Sequence, residues 1–130
     1  MERNISVAFE YVDPKALLAL PKRACTVNIT AQDLAQGERF QACACPVAHA
    51  FARRYGLPRW CVTVSNGDLF VRDNSGRVIR WWRMDEAGRG FRLAWDTGCR
   101  DIQPVTFRLI PQPVTYMDVT DVLYTEAVAA

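Results

Sequence analysis

The chain has 130 residues, of which 50% are hydrophobic and 23% charged, and a formal net charge of +2. A chain of this length folds as one domain without needing a metal ion or a disulfide. No apolar run reaches the roughly 18 residues of a membrane span, and no basic end precedes a long apolar block. We therefore expect a cytoplasmic protein without a cofactor, its single domain over 1–130 comprising a core at 25–110, an amino-terminal strand and an extension at 111–130.

Arginine dominates the basic residues, since the chain has 14 arginines and only two lysines. From Arg39 to Arg108 there are 12 arginines against six acidic residues, and no basic residue follows Arg108. The guanidinium group forks onto carboxylates and phosphates and stacks on rings where lysine does not. A binding surface would explain this usage, and so would arginine-rich codon usage in a GC-rich genome.

The first predicted elements lie on either side of an Asp-Pro break. Residues 4–12 alternate apolar and other side chains with the period of a strand, which Asp13-Pro14 interrupts. The short apolar run at 16–20 predicts one helical turn, ended by Pro21.

The next elements are a strand and a capped helix. Residues 25–30 have the composition of a short strand. Thr30 and Asp33 have the spacing of a capping box, which predicts a short helix that stops at Gly37.

A second start signal follows at Pro46, because proline suits the first helical turn. Val47, Ala50 and Phe51 then fall on one stripe, and Gly56 is positioned to stop the helix. These residues predict a helix over 46–55.

The remaining elements are mostly hairpin strands. Asn66-Gly67 predicts one tight hairpin turn and the residues at 74–76 predict another. The predicted strands are 60–66, 68–73, 77–84 and 105–110, with a helix at 85–97 closed by Gly98. The fold class is therefore α+β, a mostly antiparallel sheet of about five or six strands with two principal helices packed on it.

Two thiols and the only histidine of the sequence lie close together, at Cys43, Cys45 and His49. Without a secretion signal, the five cysteines are expected to be reduced. Zinc would need a fourth, distant ligand, and the spacing differs from that of common zinc motifs. Cysteine catalysis would need a thiol and His49 to meet across the helix start. The third reading, which we favour, is purely structural, so no metal site is assigned.

Several common nucleotide-binding and hydrolase motifs are absent from the sequence. It contains no Gly-rich phosphate loop ending in Gly-Lys-Ser/Thr, no G-x-S-x-G and no H-E-x-x-H. With one histidine and no recognisable nucleophile constellation, the sequence predicts a protein that is not an enzyme.

Residues 77–84, RVIRWWRM, place three arginines and two adjacent tryptophans on one predicted strand. Strict alternation puts Val78, Arg80, Trp82 and Met84 on one face and Arg77, Ile79, Trp81 and Arg83 on the other. If one indole fills the core, the other lies outside it, and an exposed tryptophan beside arginine is typical of interface hot spots. Single-strand nucleic-acid binders use the same composition. The alternative is that both faces are covered, with arginine stems lying over the rings.

The predicted contact surface includes more than this strand. Arg53, Arg54 and Arg59, at and after the end of the 46–55 helix, could extend it. The first two also favour their own helix carboxyl end, which gives them a structural reason to be there. The candidate binding residues are Arg77, Arg80, Trp81, Trp82, Arg83, Arg53, Arg54 and Arg59.

Residues 27–110 resemble a group of small accessory proteins of tailed bacteriophages and prophages. The resemblance is carried by VNITAQDLAQGERFQACACPVAHAFAR and by DEAGRGFRLAWDTGCRDIQPVTFRLI. It implies a small scaffold without an active site that binds a host protein, as counter-defence proteins such as anti-CRISPR proteins do. The first 24 residues, the double tryptophan and the tail beyond Pro111 depart from the pattern, and no site residues carry over.

The expected function is that of a non-enzymatic phage or mobile-element protein that inhibits a host factor. The expected partner is a host protein or ribonucleoprotein complex that handles nucleic acid, and not a membrane. Two alternatives stay open, namely direct nucleic-acid binding and a small metalloprotein that uses Cys43, Cys45 and His49.

Overall fold

The computed structural model describes residues 11–37, 45–99 and 101–114, together with the backbone of residues 117 and 118. Four α-helices lie among these residues, and their bounds are α1 (Pro14–Leu18), α2 (Ala31–Gln36), α3 (Pro46–Tyr55) and α4 (Glu86–Asp96). The strands are β1 (Cys25–Ile29), β2 (Val62–Ser65), β3 (Asp68–Arg72), β4 (Arg77–Met84), β5 (Val105–Pro111) and β6 (Met117–Asp118).

The strands form one antiparallel sheet in the order β1-β5-β4-β3-β2, and the two-residue β6 pairs with the start of β4. The two predicted hairpins join β2 to β3 and β3 to β4. In the first of these turns Asn66 has a positive φ of 55°, which asparagine tolerates better than most residues. With α3 and α4 as the two principal helices, the predicted α+β class is confirmed.

Both longer helices cover the same face of the sheet. α3 packs across β1 and β2, whereas α4 packs on β5 and β4. One hydrophobic core joins Phe51 of α3 and Trp95 of α4 to Trp82 and Leu109 of the sheet. We call the opposite side of the sheet, on which neither α3 nor α4 packs, the open face, although Phe70 and Val78 on that side are buried.

The helix starts follow the local sequence. Thr30 and Asp33 form the predicted capping box, in which each accepts a hydrogen bond from the backbone N–H of the other. The helix at 46–55 begins at Pro46 and ends at Gly56, whose φ of 67° places it in the left-handed region. Both predictions are therefore confirmed.

Three predicted elements differ in extent or type. The helical turn expected at 16–20 is the helix 14–18, because Asp13 caps it and Pro14 opens it. The strand expected at 60–66 starts as a 3-10 turn, Arg59–Cys61, because the Cys61 N–H bonds back to Pro58. The strand expected at 4–12 lies outside the described residues except for its end, where Val12 hydrogen-bonds Asn74.

A β-bulge in β4 corrects the predicted assignment of side chains to faces. Arg80 pairs with Val71 and Val78 with Arg72, so Ile79 is the extra residue between them. Ile79 therefore packs against the main core, whereas Val78 joins Phe70 in a second, small cluster. Strict alternation had placed these two residues the other way round.

The described residues include no helix long and apolar enough to cross a membrane.

Candidate binding surface

The two adjacent tryptophans have different environments. Trp82 is 1% exposed, its ring lies 5.2 Å from that of Phe51, and its Nε1 donates to the backbone oxygen of Arg23 at 3.0 Å. A partner cannot reach this indole, so Trp82 is not one of the contact residues, contrary to the prediction. Trp82 is buried because side chains alternate along a strand, so one of the two adjacent rings must face the helices.

Trp81 lies on the open face and is partly exposed. Its Nε1 donates to Oδ1 of Asp68 at 2.8 Å, and its ring lies 5.8 Å from that of Phe70. Asp68 is 2% exposed, so this hydrogen bond anchors the indole to the sheet. The ring is thus held in place before any partner arrives.

Arg83 completes the surroundings of Asp68. Its Nε lies 3.1 Å from the same carboxylate oxygen, and its guanidinium carbon lies 5.7 Å from the centre of the Trp81 ring. The Arg83 side chain remains 49% exposed. One buried carboxylate therefore fixes both an aromatic ring and a cation at the surface.

The neighbouring strand adds two residues that the sequence analysis did not select. Ile110 pairs with Arg83 across the strands and is 40% exposed, and Arg108 is exposed two positions earlier. The alternation of β5 contained this signal, because Phe107 and Leu109 point into the core and so leave Ile110 as an apolar residue on a polar face. We define the open-face patch as Trp81, Arg83, Arg108 and Ile110.

Arg80 is the second predicted contact residue that lies inside the fold. It is 9% exposed, and its guanidinium donates to the backbone oxygens of Ile79, Leu18 and Leu20 at 2.9, 3.1 and 3.4 Å. Its position on the helix-facing side of β4, paired with Val71, causes this burial. Burial lowers the pKa of the Arg80 guanidinium, although an arginine remains charged at neutral pH.

Arg77 is exposed at the opposite end of β4. It lies six positions from Arg83, which corresponds to roughly 20 Å of extended strand. The structure therefore does not bring Arg77 together with the open-face patch.

The arginines at the end of α3 bind the edge of the sheet. Arg53 donates to the backbone oxygen of Asn28 at 3.2 Å, and Arg54 donates to that of Thr26. Both acceptors belong to β1, which is an edge strand among the described residues. Arg59 is exposed in the 3-10 turn before β2, at the other edge. The predicted continuity of these three residues with the β4 surface is not found.

Asp33 connects the capping box to α3. It is 1% exposed, accepts from Arg53 Nη2 at 2.8 Å and lies 3.2 Å from Nδ1 of His49. Burial alone would raise the pKa of Asp33, but hydrogen bonds from Arg53, Thr30 and His49 outweigh it and hold the pKa below its ordinary value. This arrangement stabilises a carboxylate and ties α2 to α3.

Zinc binding and cysteine catalysis were the roles considered for Cys43, Cys45 and His49. The structure describes Cys45 and His49, and their surroundings favour neither role. Burial raises the pKa of the Cys45 thiol, which disfavours the thiolate that a nucleophile or zinc ligand needs. His49 already faces Asp33. No group of three metal-ligating side chains occurs within residues 11–37, 45–99 and 101–114. Cys43 lies outside those ranges.

Comparisons of the chain with protein-family models, with curated proteins and with solved structures find no match.

Proposed function

We propose that this protein is a non-enzymatic binding protein that captures a protein partner through the open-face patch. The observation that carries the proposal is the fixed Trp81 indole, held by the buried Asp68 on the sheet face that the two principal helices leave uncovered. Tryptophan and arginine are among the residue types most enriched in interface hot spots. Preorganisation of the ring reduces the entropy lost on binding.

The composition of the patch favours a protein over a nucleic acid. Trp81 already has Phe70 and the Arg83 guanidinium beside its ring, which leaves less of its π surface for a stacked base. Ile110 extends the patch with an apolar group that a base or a phosphate does not need. Arg83 and Arg108 would then select a partner surface that carries carboxylates.

The resemblance of residues 27–110 to phage accessory proteins supplies a setting for this activity. In that setting the partner is a host factor, such as a nucleic-acid-handling defence complex, and binding inhibits it. An anti-CRISPR-like role is the most specific form of the proposal, and it rests on the resemblance alone.

Affinity capture with matched surface variants tests the proposal. Tagged wild-type protein, Trp81→Ala, Ile110→Glu and Leu93→Glu are used to capture partners from a bacterial lysate, with and without nuclease. Leu93 is 66% exposed on α4, so Leu93→Glu introduces the same charge away from the patch. We expect a captured protein that survives nuclease, persists with Leu93→Glu and is lost with both patch variants.

The outcomes separate the two kinds of partner. A captured protein that Leu93→Glu and Ile110→Glu retain equally would contradict the use of the patch. Capture that nuclease abolishes would favour direct nucleic-acid binding instead. In that case a mobility shift should weaken steeply with salt, because phosphate contacts release counterions.

A further inference from the structure

A groove of about 510 Å³ lies beside the bulge of β4. On one side of it runs the segment after α1, and on the other the segment after β5. Its described walls are mostly apolar, and they include Leu18, Pro21, Trp81, Pro111, Pro113 and Val114. A groove of this volume is in the range that holds small organic ligands.

Arg80 also lines this groove and is its most unusual member. The described acceptors of its guanidinium are neutral backbone oxygens, and its buried Nε–H has no hydrogen-bond partner. None of the ion pairs among the described residues involves Arg80. A nine-tenths buried cation is thus left without a counter-charge from those residues.

The environment of Arg80 is unfavourable as it stands. Removing a charge from water costs free energy that neutral carbonyls offset only in part, whereas an anion would offset more of it. The exposed Lys22 also lines the groove and adds a second positive charge. We propose that this groove binds a small organic carboxylate whose apolar body lies between Trp81 and the proline-rich wall and whose carboxylate neutralises Arg80.

The walls decide between possible anions. A phosphate group carries up to two charges and needs several donors, but the groove offers one buried guanidinium and one exposed lysine among apolar side chains. A monocarboxylate attached to a ring or a short aliphatic chain matches both the charge and the apolar surface. This site is distinct from the proposed protein-binding activity, although Trp81 belongs to both surfaces.

A purely structural role for Arg80 gives a different expectation. Its bonds to Leu18 and Leu20 tie the end of α1 to the sheet, and that role needs no ligand. Titration with benzoate and with benzamide, its uncharged counterpart of the same shape, distinguishes the two roles. We expect benzoate to shift the NMR signals of the Trp81 indole and of the backbone at 79–82 and 112–114. Benzamide should bind at least about tenfold more weakly, since it lacks the charge-assisted contact.

Four variants complete the experiment. Arg80→Gln should weaken benzoate binding by about tenfold or more while circular dichroism reports whether it folds. Lys22→Ala, at an exposed position, should weaken binding by a smaller factor without affecting folding, and Arg59→Ala is the matched control that should leave binding unchanged. Ile110→Glu should also retain benzoate, so failure of the protein-binding proposal would not remove this one.

Two results would overturn the proposal. One is the absence of benzoate-induced shifts in the groove of the wild-type protein. The other is equal binding of benzoate and benzamide, which would mean that the groove takes apolar rings without using the charge of Arg80. Either result can be obtained on the wild-type protein, so the conclusion does not depend on the folding of Arg80→Gln.

Discussion

The two faces of the sheet use similar residues for different purposes. On the helix-covered face, Trp82 packs against Phe51 and Arg80 is held by backbone oxygens. On the open face, Trp81 and Arg83 share the buried Asp68 and remain partly exposed. Residue type alone therefore does not distinguish a core from a contact surface, and the side of the strand decides.

The strongest test of this difference is to remove the core indole. Trp82→Ala should lower the free energy of unfolding by about 3–5 kcal/mol, because it leaves a large cavity beneath α3. Urea denaturation followed by circular dichroism measures the loss. A loss below that of Trp81→Ala would contradict the assignment of the two faces.

A second test concerns the buried carboxylate at the helix-covered side. Asp33→Asn should cost about 2–3 kcal/mol at neutral pH, because it weakens the capping box and the contact with Arg53. The folded-state pKa of Asp33 is depressed, so its contribution is present above its unfolded pKa and is lost as the pH falls through the folded value.

The pH dependence of unfolding checks this assignment. When the pH falls from 7 to below the ordinary pKa range of aspartate, the free energy of unfolding should decrease more for the wild-type protein than for Asp33→Asn. Asp101→Asn, at an exposed position, serves as the control and should follow the wild type. Parallel acid curves for wild type and Asp33→Asn would show that the carboxylate is not stabilised by folding.

A matched pair of glycines probes how closely α4 lies on the covered face. A Cβ at Gly88 would lie 2.6 Å from the Phe107 ring and 3.0 Å from the Met84 Cβ, whereas a Cβ at Gly90 meets nothing within 4 Å. Gly88→Ala should cost about 1–3 kcal/mol through overpacking. Gly90→Ala should stabilise by about 0.5–1 kcal/mol, as alanine does within a helix. Thermal unfolding of both variants measures the contrast, and the same sign for both would refute it.

The smallest expected effect is on the open face. Trp81→Ala should cost about 1 kcal/mol, because the ring is only partly buried and Asp68 keeps Arg83 as a partner. The same denaturation experiment measures this loss of stability. Near-wild-type stability together with lost partner capture would support the proposed difference between the two faces. A loss as large as that of Trp82→Ala would instead make Trp81 a core residue.

The sequence by itself predicted the fold class and most element bounds, because those depend on local signals. These signals act through hydrogen bonds or backbone angles within a few residues. They are the capping box of Thr30 and Asp33, the helix start at Pro46, the helix end at Gly56 and the turn at Asn66-Gly67. The period-2 pattern also implied that the two tryptophans face opposite sides. It could not say which of them faces the helices, because each side of the strand carries both apolar and charged residues.

The tertiary structure decided the rest of the candidate site. The bulge at Ile79 exchanged two side chains between faces, and only the pairing of β4 with β3 reveals it. The anchoring of Trp81 and Arg83 by Asp68 joins residues 13 and 15 positions apart, and the contact of Arg80 with Leu18 spans 62. Such contacts depend on strand register and packing, for which a local sequence pattern carries no signal.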